Sequence, residues 1–76
     1  AFIEKVRFEN GIIDLYTRSG VVLRLGGNLT TEQVSERVPL AYSWYKNLPE
    51  GSDKKTSKYI ARYNEAKKEF EAEQVL

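Results

Sequence analysis

Few side chains in this sequence have the chemistry to act on a substrate. Ser19, Ser35, Ser43, Ser52 and Ser57 supply hydroxyls, but the chain contains no His and no Cys. A serine nucleophile needs a base within hydrogen-bond reach, most often a His. The same absence removes thiolate chemistry, disulfides and the common zinc and haem ligands. Paired carboxylates remain as acid–base candidates: Glu32 with Glu36, and Glu65 with Glu69, each spaced to share one helix face. A chain of 76 residues has little volume in which to enclose either pair. Gly26-Gly27 lacks the Lys-Ser/Thr that completes a phosphate-binding loop. The expectation is a protein that is not an enzyme, with no catalytic residue, no metal and no cofactor.

Binding chemistry depends on which side chains the backbone brings to one face. Asn10-Gly11 is a strong hairpin signal, because both central positions of a type I′ turn need φ > 0. Pairing outward from that turn sets Phe8 opposite Ile13 and Val6 opposite Leu15, four apolar residues expected to form half of a core. Arg7 then faces Asp14 and Lys5 faces Tyr16 on the other side. A second turn at Arg18-Ser19-Gly20 with Gly20 left-handed pairs Thr17 with Val21, Leu15 with Leu23 and Ile13 with Leu25. A two-residue turn there would instead point Leu23 and Leu25 outward, so the longer loop is preferred.

Helical signals follow. Thr30 and Gln33 have the spacing of a capping box, and Leu29 and Val34 that of a hydrophobic staple. Val34, Val38, Ala41, Tyr45 and Leu48 mark one apolar face, interrupted by Pro39. After a turn at Leu48-Pro49-Glu50-Gly51, Ser52 reads as the cap of a last helix with Tyr59, Ile60, Tyr63, Ala66 and Phe70 as its buried stripe. Glu69, Glu71 and Glu73 sit at that helix's electrostatically wrong end, so fraying is expected after Ala72. The expected architecture is α+β: a three-stranded antiparallel β-meander followed by two helices, the first kinked at Pro39, packed on one sheet face. One domain would span residues 1–76.

The open face of that sheet would display Ile3, Lys5, Arg7, Ile12, Asp14, Tyr16, Val22 and Arg24. Basic, aromatic and aliphatic side chains mixed on one side are typical of a contact surface. Lys5, Arg7, Ile12, Tyr16, Val22 and Arg24 are therefore the expected partner-binding residues. A half-solvated sheet, with Arg7–Asp14 as a weak surface pair, has the same composition. A second candidate is a basic stripe, Lys54, Lys58 and Arg62, repeating every four residues on the last helix. Residues 46–68 hold seven basic and three acidic side chains, although the whole chain has a net charge of only +1. Of the aromatic residues, Tyr45, Tyr59, Tyr63 and Phe70 fall at core spacing. Tyr42 and Trp44 lie off it, and one of the two is expected to be exposed.

Several fragments resemble small phage-encoded anti-CRISPR proteins that act on type I-F surveillance complexes. Phe8-Glu9-Asn10-Gly11 is similar to an aromatic-Glu-Asn-Gly hairpin in that family. Thr31-Glu32-Gln33 at the helix start, Ser43-Trp44-Tyr45 leading to Leu48-Pro49, and Asn64-Glu65 before Lys67-Lys68 in a final helix also have counterparts. Against the family pattern, the sheet region here is shorter, the family's hairpin Tyr is Phe8, and the first helix is about two turns longer. The resemblance implies a non-enzymatic inhibitor of a host nucleoprotein complex, binding through its sheet and blocking target access. Residues 11–25 also look like the strands of arm-type DNA-binding domains of phage tyrosine recombinases, with Lys5, Arg7, Tyr16, Arg18 and Arg24 as readers in the major groove. The partner expected is thus a protein or nucleoprotein, with duplex DNA as the alternative. No membrane association is expected, and the location implied is the cytoplasm, the host cell's if the chain is phage-encoded.

Overall fold

A computed structural model describes residues 3–52 and 58–74. Strands β1 (Ile3–Glu9), β2 (Ile12–Thr17) and β3 (Val22–Gly27) are followed by helix α1 (Thr31–Lys46), then by β4 (Tyr59–Asn64) and β5 (Glu69–Gln74). All five strands form one sheet in chain order. β3 and β4 run parallel and the other neighbours antiparallel, as a helical crossover between β3 and β4 requires. The expected meander followed by two helices is therefore wrong: the sheet is mixed and five-stranded, and the described residues hold one helix.

The first hairpin follows its turn chemistry. Asn10 and Gly11 both take positive φ, 53° and 78°, and the register runs Phe8↔Ile13, Val6↔Leu15, Arg7↔Asp14 and Lys5↔Tyr16. At the second turn the Thr17 amide donates to the Val21 carbonyl (3.0 Å), Gly20 has φ 98°, and Leu15 pairs with Leu23. Two irregularities depart from strict pairing. Between Ile3 and Lys5 the register shifts, which sets Ile3 opposite Thr17 and packs it against the core instead of on the open face. Between Ile13 and Asp14 it shifts again, so Ile13 faces Gly26 and not Leu25.

α1 starts where its cap dictates. The Gln33 amide donates to Thr30 Oγ1 (3.1 Å), and the Thr30 amide donates to Gln33 Oε1 (2.9 Å). The helix continues through Pro39 as one element. Pro39 and Ser35 both lie on the exposed side, where water can serve the Ser35 carbonyl that Pro39 leaves without an amide. Val34, Val38, Ala41 and Tyr45 pack inward as their spacing implies, joined by Leu40 and Trp44. Tyr42 is the exposed member of its pair, at 44%.

The core centres on the middle strand and the residue before it: Val21, Leu23 and Leu25 have no solvent exposure. Leu15, Ala41, Ala61 and Phe70 complete it, with the Tyr63 ring edge-on to Phe70 at 5.3 Å. Val6 and Phe8 share the face of Leu15 but are 59% and 72% exposed, so they are not half of the core. The helix lies mainly against β3 and β5, and residues 4–9 of β1 remain exposed.

Residues 59–74 form a hairpin where a helix was expected. Asn64 Oδ1 accepts from the Lys67 amide (3.1 Å) and Lys68 turns with φ 55°, which closes the chain on itself. Glu71 accepts from Asn64 Nδ2 (2.6 Å) and Lys67 Nζ (3.1 Å), and these bonds, Asn64 first, hold its carboxyl below the ordinary 4.5. A lowered folded-state value adds stability above the unfolded value, lost as pH falls through the folded one. The β4–β5 amides are therefore expected to exchange faster as pH drops below 4.5, after correction for the intrinsic rate. Glu71→Gln should flatten that dependence. An unchanged acid dependence in the variant would remove Glu71 as its source.

Candidate sheet-face interface

The face away from α1 is laid out by the register. One row across the five strands reads Lys5–Tyr16–Val22–Ile60–Glu73, and the next reads Arg7–Asp14–Arg24–Arg62–Glu71. Ile12 extends the face beyond Asp14, opposite Glu9 and Gly27. All six residues expected to bind a partner thus lie on this one surface. Sequence reasoning misses Ile60, Glu71 and Glu73 on its other strands and puts Arg62 on a helical stripe instead, because the stripe through Tyr59, Tyr63 and Phe70 reads as helix. The alternation of Glu69, Glu71 and Glu73 around Phe70 and Ala72 was the strand signal.

The basic stripe does not exist as a stripe. Arg62 points to the sheet face from β4 and pairs with Glu73 at 2.9 Å. Lys58 is exposed just before that strand, and Lys54 lies outside the described residues. Glu65 and Glu69 do not share a helix face either, since Glu65 is in the turn and Glu69 opens β5.

Charges on the face are largely spent on one another. Asp14, 6% exposed, accepts from Arg24 Nε (2.9 Å) and Nη2 (3.1 Å) in a two-pronged pair. That hydrogen bond is the main reason the Arg24 guanidinium is held charged beyond its usual range. Arg7 turns to Glu9 at 2.8 Å, so the expected Arg7–Asp14 pair is not made. The hydrogen bond to Glu9, foremost, and the neighbouring Tyr16 hydroxyl raise the Arg7 guanidinium in the same way.

Along the first row, beside the charged one, the surface is apolar. An open hollow of about 360 Å³ is lined by Tyr16, Gly20, Val22, Lys58, Tyr59 and Ile60. Tyr16 also borders a smaller, polar depression of about 130 Å³ that runs along Arg7, Asp14 and Arg24 to Ile12. Among the described residues no group of three or more acidic side chains is arranged to hold a metal ion. No described helix is long and apolar enough to cross a membrane. Comparison with protein families, with curated proteins and with solved structures gives no match.

Proposed function

We propose that the chain is a non-enzymatic binding module whose open sheet face takes a protein partner. The observation that carries this reading is the row Lys5–Tyr16–Val22–Ile60–Glu73: three apolar or aromatic side chains in the middle, one cation and one anion at the ends. Protein contact surfaces have that layout, with an apolar centre and a polar rim. Tyr16 is the anchor, since it adjoins both hollows and aromatic side chains carry a large share of contact energy.

Charge argues against duplex DNA. Arg7, Arg24 and Arg62 are each engaged by a carboxylate, and Glu71 and Glu73 border the same surface. Phosphate contacts would have to displace those pairs beside an acidic edge. The phage-inhibitor form of the proposal keeps its hairpin and helix-start fragments. It loses the final-helix fragment, because Asn64 to Lys68 form a β-turn region. The proposal is accordingly made for a protein-binding module, and an RNA-guided surveillance complex is one partner to assay.

The test is a titration of labelled protein with duplex DNA at ~150 mM salt, where the Debye length is only ~8 Å. The amides of Lys5, Arg7, Tyr16 and Arg24 are expected not to shift. A saturable, steeply salt-dependent shift confined to them would overturn the proposal in favour of the recombinase-type reading. With a type I-F surveillance complex as the assayed partner, Tyr16→Ala and Val22→Glu should each weaken binding by about tenfold or more. Single replacements of Lys5 or Arg7 should cost less.

A further inference from the structure

Among the described residues β1 is the outer strand of the sheet, with β2 as its one neighbour. The two-residue Asn10-Gly11 turn makes Glu9↔Ile12 the first hydrogen-bonded pair. Bonded and non-bonded pairs alternate along the hairpin, so Lys5, Arg7 and Glu9 direct their backbone groups to β2. Val6 and Phe8 direct theirs away from the sheet. These same two residues carry the most exposed large apolar side chains among the described residues, at 59% and 72%. Unmet backbone groups and uncovered apolar side chains thus coincide. Lys5 and the irregularity beyond it blunt the strand's first part, which leaves residues 5–9 able to pair.

A strand added there must offer apolar residues opposite Val6 and Phe8, and charges that answer Lys5 and Glu9. We propose that it is β1 of a second copy of this chain, antiparallel, about a two-fold axis at Arg7. That register sets Val6 opposite Phe8 of the copy and Phe8 opposite its Val6, and an aromatic facing a β-branched residue is a favourable cross-strand pair. It also sets Lys5 opposite Glu9 and Glu9 opposite Lys5. The outward backbone groups of residues 6 and 8 then bond in pairs. The two Arg7 side chains meet at the axis, each already held by its own Glu9 at 2.8 Å. Shifting the axis to Val6 would instead put Lys5 against Arg7 twice and Phe8 against Glu4. Shifting it to Phe8 would set Val6 against Asn10 in the turn and leave Lys5 without a partner strand residue, so the first register is the one that uses all of residues 5–9. The pairing is closed and isologous, so it stops at a dimer.

Sedimentation of the intact chain should show a reversible monomer–dimer equilibrium across ~10 μM to ~1 mM, the range suited to a small interface. Val6 and Phe8 amide exchange should slow as concentration rises. Phe8→Glu, on a side chain 72% exposed, should leave the fold intact by circular dichroism and weaken association at least ~10-fold. Lys5→Glu and Glu9→Lys should each weaken it several-fold, and the two together should restore it, because the exchanged charges still face each other. A monomer throughout the range would overturn the proposal. So would a dimer indifferent to Phe8→Glu, or a charge exchange that fails to restore association. Protection of the β1 edge only on adding a different protein would likewise overturn self-pairing. Val22→Glu lies on the open face and should leave the dimer unchanged, which separates this outcome from that of the partner-binding proposal.

Discussion

Replacing Leu23 with Ala is expected to cost about 2–5 kcal/mol, against a total of only ~3–5 kcal/mol that one core supplies at this chain length. Leu23 has no solvent exposure and sits on the middle strand, between Leu15 on β2 and Ala61 on β4. Its removal leaves a cavity that sheet neighbours and the helix cannot both close. Urea unfolding should show a large drop in the midpoint, or a population already mostly unfolded. Val6→Ala is the matched comparison, since Val6 lies on the same sheet face but is 59% exposed. It should stay within roughly 0.5 kcal/mol of the parent. Equal losses for the two variants would mean that β1 belongs to the core after all.

The second large effect is expected at Arg37, a buried cation on the helix face that packs inward. Its Nη1 donates to the Leu25 carbonyl at 2.8 Å, its Nη2 to Glu65 at 2.9 Å, and its guanidinium lies 4.3 Å from the centre of the Tyr63 ring. Leu25 is the residue left without a β2 partner by the irregularity opposite Ile13, so Arg37 satisfies a backbone group that the ladder does not. Arg37→Ala should cost about 2–4 kcal/mol, combining a charged hydrogen bond, the ring contact and lost packing. Glu65 adds little, because its carboxylate is 72% exposed and returns to water.

Gly26 belongs to the same unit. It has φ 139°, and a Cβ there would come within 2.8 Å of Arg37 Nη1. Gly26→Ala should therefore destabilise both by backbone strain and by displacing the guanidinium. In the double variant the clash is gone but the strain remains, so the combined loss should fall short of the sum. Chemical denaturation of the four proteins measures this directly. Strict additivity would show that Gly26 and Arg37 act independently.

What the sequence determined by itself is local. Asn10-Gly11 set the first hairpin and its register, Gly20 the second turn, and Thr30 with Gln33 the start of α1, because turns and caps are decided within a few residues. Alternation then chose which side of β1 to β3 faces outward, and with it the six candidate contact residues. Residues 59–70 were ambiguous: Tyr59, Tyr63 and Phe70 fit a helical stripe, while Tyr59, Ala61 and Tyr63, then Phe70 and Ala72, fit the two-residue period of strands. Only the tertiary structure chose between them. A strand that carries Leu23 and Leu25, with Val21 just before it, all without solvent exposure, needs a neighbour on both sides, and β4 supplies the second one in parallel. That choice removed the expected second helix, left Val6 and Phe8 uncovered, and widened the open face from three strands to five. It also set Arg37 under Tyr63, a contact between residues far apart in the chain that no local pattern announces.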